Sequence, residues 1–196
     1  MPQELSQDEL AAIVEKAQQG SAVDFQKLYD HFARRIYNFT WRLIGSSEDA
    51  EDLTQETFLK VHSELHRLRD VGQFRYWLFR IARNEVYQKL RRSQRISEIS
   101  IDEHAPHFES LLADDVSDLD PEREFLVHEF SEIINKALQS LSPKYRDVFV
   151  LAVFQKMKYE EIAQIVDRSL LSVKTDIYRA RLVVKDYVKT YLGRNR

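Results

Sequence analysis

The sequence predicts an all-α protein: two small helical domains joined by an acidic flexible linker, the second containing a helix-turn-helix. Three observations lead there. Apolar residues recur at spacings of three and four through most of the chain. The 196 residues include only four Gly and four Pro, too few for a turn-rich β architecture. Helical periodicity lapses in one stretch of scattered carboxylates, which separates residues 1–94 from residues 125–196 and leaves 95–124 as the tether.

Each element can be placed in order. A first helix covers Asp8 to Gln19 and stops at Gly20, a residue that suits the end of a helix. The second runs from about Val23 to Ile44, with Phe25, Leu28, Phe32, Ile36, Phe39 and Leu43 along one side and Gly45 as its terminator. Ser46 or Ser47 caps a third helix whose acidic first turn suits the positive end of the helix dipole. That helix buries Ala50, Leu53, Thr57, Val61 and Leu65. A short basic loop, Arg67 to Gln73, leads to a fourth helix over Phe74–Arg92. After the linker a helical unit begins near Phe125. Ser142-Pro143 is an N-cap followed by Pro at the first helical position, opening a helix through about Phe154. Tyr159–Val166 forms a short helix, Asp167-Arg168-Ser169 a tight connection, and Leu170 to roughly Tyr191 the last helix. Short helix, tight turn, basic helix is the helix-turn-helix pattern.

Composition narrows the function. With no cysteine, the chain has no disulfide, thiolate metal site or cysteine nucleophile, which suits a reducing cytoplasm. No apolar run approaches a membrane span, and the start MPQELSQDEL is acidic and polar where a signal peptide is basic then apolar. A cytoplasmic protein without membrane insertion is expected. The net charge of −3 hides strong blocking. Residues 67–95 carry nine Lys/Arg against two acids, and residues 168–196 carry eight against two. Residues 96–124 hold ten acids and only Arg123 as a base. Overall charge argues against nucleic acid as a partner; its distribution argues for it.

The fourth helix has two incompatible faces. At about 100° per residue, Phe74, Trp77, Leu78 and Ile81 fall together as a core side. Tyr76, Arg80, Arg83, Asn84, Tyr87 and Arg91 fall on the opposite side, where arginines attract phosphates and tyrosines offer unstacked bases a π-face. The bland alternative is a basic surface helix with partly buried tyrosines. In the last helix, Val173 and Ile177 should pack on Ile162, Ala163 and Val166. That leaves Leu171, Ser172, Lys174, Thr175, Asp176 and Arg179 to meet a major groove. Lys174 and Arg179 can hold phosphate or guanine, and Asp176 can accept from cytosine N4. The alternative is an αα-hairpin with no DNA role. On the third helix, Glu48, Asp52, Gln55, Glu56 and Leu59 share an outward face: acids to steer a basic partner and a leucine to anchor it. A solvated face with one stray leucine is the plain alternative.

Enzyme signatures are missing. There is no glycine-rich phosphate loop and no G-x-S-x-G elbow. His62 and His66 lie one turn apart without the intervening Glu of a metalloprotease helix, and no His shares the acidic face. No catalytic activity, cofactor or metal is expected.

These pieces, in this order, resemble a bacterial RNA polymerase sigma factor of the extracytoplasmic function (ECF) type in the sigma-70 family. The resemblance covers nearly the whole chain and rests chiefly on DAEDLTQETFLKVH at 49–62, FRYWLFRIARNEVYQKLRR at 74–92 and LSPKYRDVFVLAVFQKMKYEEIAQIVDRSLLSVKTDIYRARL at 141–182. It implies a region 2-like domain over 1–94, an acidic linker over 95–124 and a region 4-like domain over 125–196. It implies that Asp49, Asp52, Gln55, Glu56 and Leu59 meet the β′ clamp helices of core polymerase, the second domain meeting the β flap. Arg75, Tyr76, Arg80, Arg83, Asn84, Tyr87 and Arg91 would melt the promoter −10 element and hold its bases. Leu171, Ser172, Lys174, Thr175, Asp176 and Arg179 would read the −35 duplex. The acidic linker would thread toward the polymerase active centre. Members of this family are usually held inactive by an anti-sigma protein, so such a partner is implied as well. One departure stands out: the family often has Gly where this chain has Leu171 and a basic residue where it has Asp176. The competing classes are a dimeric helix-turn-helix repressor or activator that works without polymerase, and a helical enzyme using the acids of residues 48–56.

Overall fold

The computed structural model describes residues 5–97 and 121–194, and among these every regular element is helical. The first group contains α1 (Gln7–Gln18), α2 (Ala22–Ile44), α3 (Ser47–Glu64) and α4 (Phe74–Ser97), with single 3-10 turns at Leu65–Arg67 and Val71–Gln73. The second contains α5 (Pro121–Gln139), α6 (Pro143–Val153), α7 (Tyr159–Val166) and α8 (Leu170–Arg194). The expected linker is trimmed at both ends. Helix α4 continues to Ser97 and α5 starts at Pro121, and the rest of that stretch, 98–120, lies outside the described residues.

Local chemistry sets the helix ends. Ser6 and Glu9 form a reciprocal capping box at α1: the Ser6 Oγ accepts from Glu9 N at 3.2 Å and the Glu9 carboxylate accepts from Ser6 N at 2.8 Å. Ser21 caps α2 and Ser46 caps α3 without the reciprocal bond, each side chain accepting from the backbone N–H three residues on. Gly45 closes α2 at φ +84°, where a Cβ would be strained and would also meet the Gln139 side chain at 3.0 Å.

Helix α2 is the spine. Leu28, Phe32, Ile36, Phe39 and Leu43 are all buried, while Phe25 packs half-buried edge-on against His62. Phe32 meets Phe74 with ring centroids 5.6 Å apart, and Phe39 meets Phe79 at 5.2 Å, both tilted toward the favoured edge-to-face geometry. Buried threonine hydroxyls are satisfied within their own helices, Thr54 donating to Ala50 O at 2.7 Å and Thr57 to Leu53 O at 2.6 Å.

The two helical groups pack on each other, α4 against α7 and α2 against α5 and α6. Two arginines stitch this seam. Arg146 of α6 is buried and donates to Leu43 O at 2.5 Å, Gln139 O at 2.9 Å and Leu141 O at 3.0 Å, placing a cation where α2 and α5 end with unsatisfied carbonyls. Arg42 of α2 lies 3.8 Å from the ring centroid of Phe154, and burial lowers its pKa to about 10. Helix α4 therefore has cover on more than one side. Phe79, Ala82 and Val86 are buried along with the expected Phe74, Leu78 and Ile81, while Trp77 is only half-buried.

Candidate nucleic-acid and partner interfaces

Three surfaces carry the residues singled out from sequence, and the structure treats them differently. On α3 the buried stripe Ala50, Leu53, Thr54, Thr57, Phe58 and Val61 fixes the rotation of the helix. Asp52, Gln55 and Glu56 are thereby turned to solvent, beside a Leu59 that is 72% exposed. Asp49 is the exception: half-buried, it is ion-paired with Lys89 of α4, which also approaches Asp52 at 4.0 Å. A leucine so exposed among carboxylates contributes nothing to the core, so its cost in water is offset only when something covers it.

The Arg/Tyr side of α4 is divided into two strips. Arg80, Asn84 and Arg91 are exposed, with Arg91 Nε donating to Tyr87 O at 3.2 Å. Arg75, Tyr76, Arg83 and Tyr87, expected to face outward, instead meet the second helical group. Arg75 donates to Gln155 O at 2.9 Å, and the Tyr76 hydroxyl donates to Glu161 Oε1 at 2.8 Å. Arg83 Nε donates to Asp147 Oδ2 at 2.8 Å, and the Tyr87 hydroxyl donates to the same oxygen at 3.0 Å. The Arg83 guanidinium also sits 4.4 Å from the Tyr87 ring centroid.

Asp147 is the centre of this contact. Its side chain is fully buried, and its second oxygen accepts from Val148 N at 2.7 Å. Burial pushes its pKa up, with Arg83 and then the Tyr87 hydrogen bond pulling the other way. Burial, followed by the negative charge of Asp147, raises the Tyr87 phenol above its ordinary value. An isolated carboxylate would not tolerate this site; two donors aimed at one oxygen make it tenable.

In the helix-turn-helix, Asp167 adopts the left-handed conformation at φ 53° that ends α7, and Ser169 Oγ accepts from Ser172 N at 3.2 Å to start α8. Val173, Ile177, Ala180 and Val184 face inward. Leu171, Lys174, Thr175 and Arg179 are exposed and Ser172 is half-buried. Thr175 returns its hydroxyl to Leu171 O at 2.9 Å. Tyr178 and Arg181, one and two turns beyond Lys174, are also exposed on this helix. Sequence reading passed over both, although their spacing from Lys174 was the available signal.

Asp176 must be corrected. Expected at the groove, it is 2% exposed and lies 2.7 Å from Arg168 Nη2 and 3.4 Å from Lys144 Nζ. Its place three residues after Val173 puts it on the packed side of α8, where it ties the helix to the turn and to the start of α6. Replacing Asp176 with Ala should strand a largely buried Arg168 and destabilise the protein by about 2 kcal/mol. A thermal melt should fall by several degrees while base preference on duplex DNA stays as it was. A changed preference at unchanged stability would restore Asp176 to the reading surface.

Among the described residues no helix is long and apolar enough to cross a membrane, and no three His, Asp or Glu side chains converge as metal ligands would.

Known proteins share this pattern. Residues 28–96 match the family described as Sigma-70 region 2, and residues 131–183 match Sigma-70, region 4. The chain is 33% identical over 172 residues to the ECF RNA polymerase sigma factor SigE of Mycolicibacterium smegmatis, across 87% of this chain but 63% of that protein's length. It is 30% identical over 185 residues to the ECF RNA polymerase sigma-E factor of Salmonella typhimurium, across 93% of this chain and 95% of that one. In fold it is similar to the sigma factor RpoE of Bartonella quintana, solved in complex with the anti-sigma factor NepR, with a TM-score of 0.69 and 24% identity over 85% of this chain and 97% of that one.

Proposed function

Because the chain belongs to the sigma-70 family of RNA polymerase sigma factors, in its extracytoplasmic function group, we propose that it is a promoter-specificity subunit with no catalysis of its own. It docks on core polymerase through Asp52, Gln55, Glu56 and Leu59, with Asp49 steering the approach and holding α3 against Lys89. Leu171, Ser172, Lys174, Thr175 and Arg179 form the surface for the −35 duplex. The Arg/Tyr side of α4 opens and holds the −10 strand, Arg80, Asn84 and Arg91 being its accessible part and Arg75, Tyr76, Arg83 and Tyr87 its covered part. The work is cytoplasmic, and an anti-sigma protein restrains it.

The observation that carries this reading is the coexistence of two unlike basic helices and one acidic face with an exposed leucine. A repressor needs one DNA surface and a dimer contact; it has no use for a second basic module of different shape. Tethering both modules to polymerase raises the effective concentration of each for its own stretch of DNA, so neither needs to bind tightly alone.

Binding to labelled promoter duplex, measured with and without core polymerase, tests the proposal against the repressor alternative. The protein alone should bind weakly and lose what affinity it has as salt rises. With core polymerase added, the complex should be tight and sequence-specific. Tight, sequence-specific binding by the isolated chain, unaffected by polymerase, would favour a repressor.

A further inference from the structure

Helix α2 carries a polar stripe beside its buried one. Arg35, Asn38 and Arg42 recur at spacings of three and four, so they share a face, and all three are half-buried. Across from them stand Arg75, the second residue of α4, and the turn between α6 and α7, which contributes Phe154, Gln155 and Lys156. Together these residues line a cleft of about 530 Å³. That size is ordinary for a small-molecule site, yet the lining is the reverse of the usual apolar one. It holds four cations and two amides, and among the described residues no carboxylate lines it.

Arg42 is the core of this arrangement. Its Nη1 donates to Asn135 Oδ1 only at 3.4 Å, and its Nε has no hydrogen-bond partner. Among the described residues no carboxylate is paired with it. The rings of Phe154 and Trp41, with centroids at 3.8 Å and 5.3 Å, hold the guanidinium in place but bring it no negative charge. Burial alone lowers its pKa to about 10.

Lys156 supplies an independent observation. Its φ of 51° lies in the left-handed region, which disfavours side chains and suits glycine. The turn thus keeps an exposed cation on the cleft at a conformational cost, as functional sites often do.

We propose that this cleft binds a compact polyphosphate anion, nucleoside or inorganic, with Arg35, Arg42, Arg75 and Lys156 as its phosphate ligands. Planar guanidinium forks match pairs of phosphate oxygens. Adjacent phosphates bring several charges within reach of four cations, whereas a monophosphate satisfies one fork. The occupant bridges the two helical groups, because Lys156 belongs to one and α2 to the other. Binding should therefore raise the melting temperature of the chain. None of this depends on the promoter-specificity reading.

The test uses the full chain at physiological salt, where loosely held anions are screened. A fluorescent ATP analogue is titrated with protein, and unlabelled magnesium-free ATP, inorganic tripolyphosphate, AMP, citrate and a short single-stranded oligonucleotide compete in turn. Saturable one-to-one binding is expected, displaced by ATP or tripolyphosphate, with AMP and citrate about tenfold weaker. Tripolyphosphate matching ATP assigns the inorganic form; tighter ATP assigns the nucleoside form. Lys156→Gly removes one cation and relieves the left-handed backbone. It should weaken binding about tenfold without lowering the melting temperature of the free chain. Arg42→Gln should weaken binding further, and Lys156→Gly carries the test if Arg42→Gln fails to fold.

Absence of saturable binding would overturn the proposal. Citrate competing as well as tripolyphosphate would overturn it too, leaving charge attraction alone. Displacement by the oligonucleotide at matched phosphate concentration would reassign the cleft to a nucleic-acid strand. Unchanged affinity in both variants would place the anion elsewhere. Polymerase-dependent transcription tests the sigma-factor reading by itself, so failure of one conclusion is distinguishable from failure of the other.

Discussion

Arg80→Ala combined with Asn84→Ala is expected to slow promoter opening by the polymerase complex roughly a hundredfold, with little change in stability. Both side chains are exposed on α4, so their removal leaves no cavity and unpairs no buried group. What is lost is a phosphate contact and a hydrogen-bonding side chain beside the strand, each worth about 1–1.5 kcal/mol when unstacked bases are held. Two such losses multiply to about two powers of ten. Permanganate reactivity of unpaired thymines around the −10 element reads the effect directly. Initial protection of the −35 duplex should persist, because α8 lies on the other domain. Unaltered thymine reactivity would remove this strip from the melting surface.

The second large effect is expected at α3. Glu56→Ala with Leu59→Ala should weaken binding to core polymerase by roughly a hundredfold or more. An anchoring apolar residue at the centre of an interface costs about 2 kcal/mol or more on truncation, and loss of a steering charge slows association. Leu59 is 72% exposed and belongs to no core cluster, so the melting temperature should not fall; removing an exposed leucine from water could even raise it slightly. Affinity is measurable by titrating labelled protein with core enzyme at fixed salt. Equal affinity of the double variant and the unaltered chain would move the docking site elsewhere.

Some of this architecture was plain in the residues. The spacing of Leu28, Phe32, Ile36, Phe39 and Leu43 predicted α2, Gly45 its end, and Ser46 the start of α3, because each is decided within a turn or two of chain. Pro143 and the Asp167–Ser169 turn were legible for the same reason. The misplacements share another cause. Arg83 and Tyr87 meet Asp147 across 64 and 60 residues of chain, and periodicity along one helix carries no information about what another element brings to it. Charge was then read as a sign of solvent. Asp176, Arg146 and Asp147 are all buried, each tolerable only because a partner outside its own helix supplies the opposite charge or a row of carbonyls. On α3, Glu48, Asp52, Gln55, Glu56 and Leu59 are exposed as their spacing predicts, with Lys89 of α4 paired to the half-buried Asp49 and 4.0 Å from Asp52.

Transcription in vitro from a library of promoter fragments, with core polymerase and with or without this protein, bears most directly on the whole account. Added protein should produce a set of start sites absent from core polymerase alone, sharing two conserved elements at fixed spacing. Identical start sites and yields in both reactions, across the library, would contradict it.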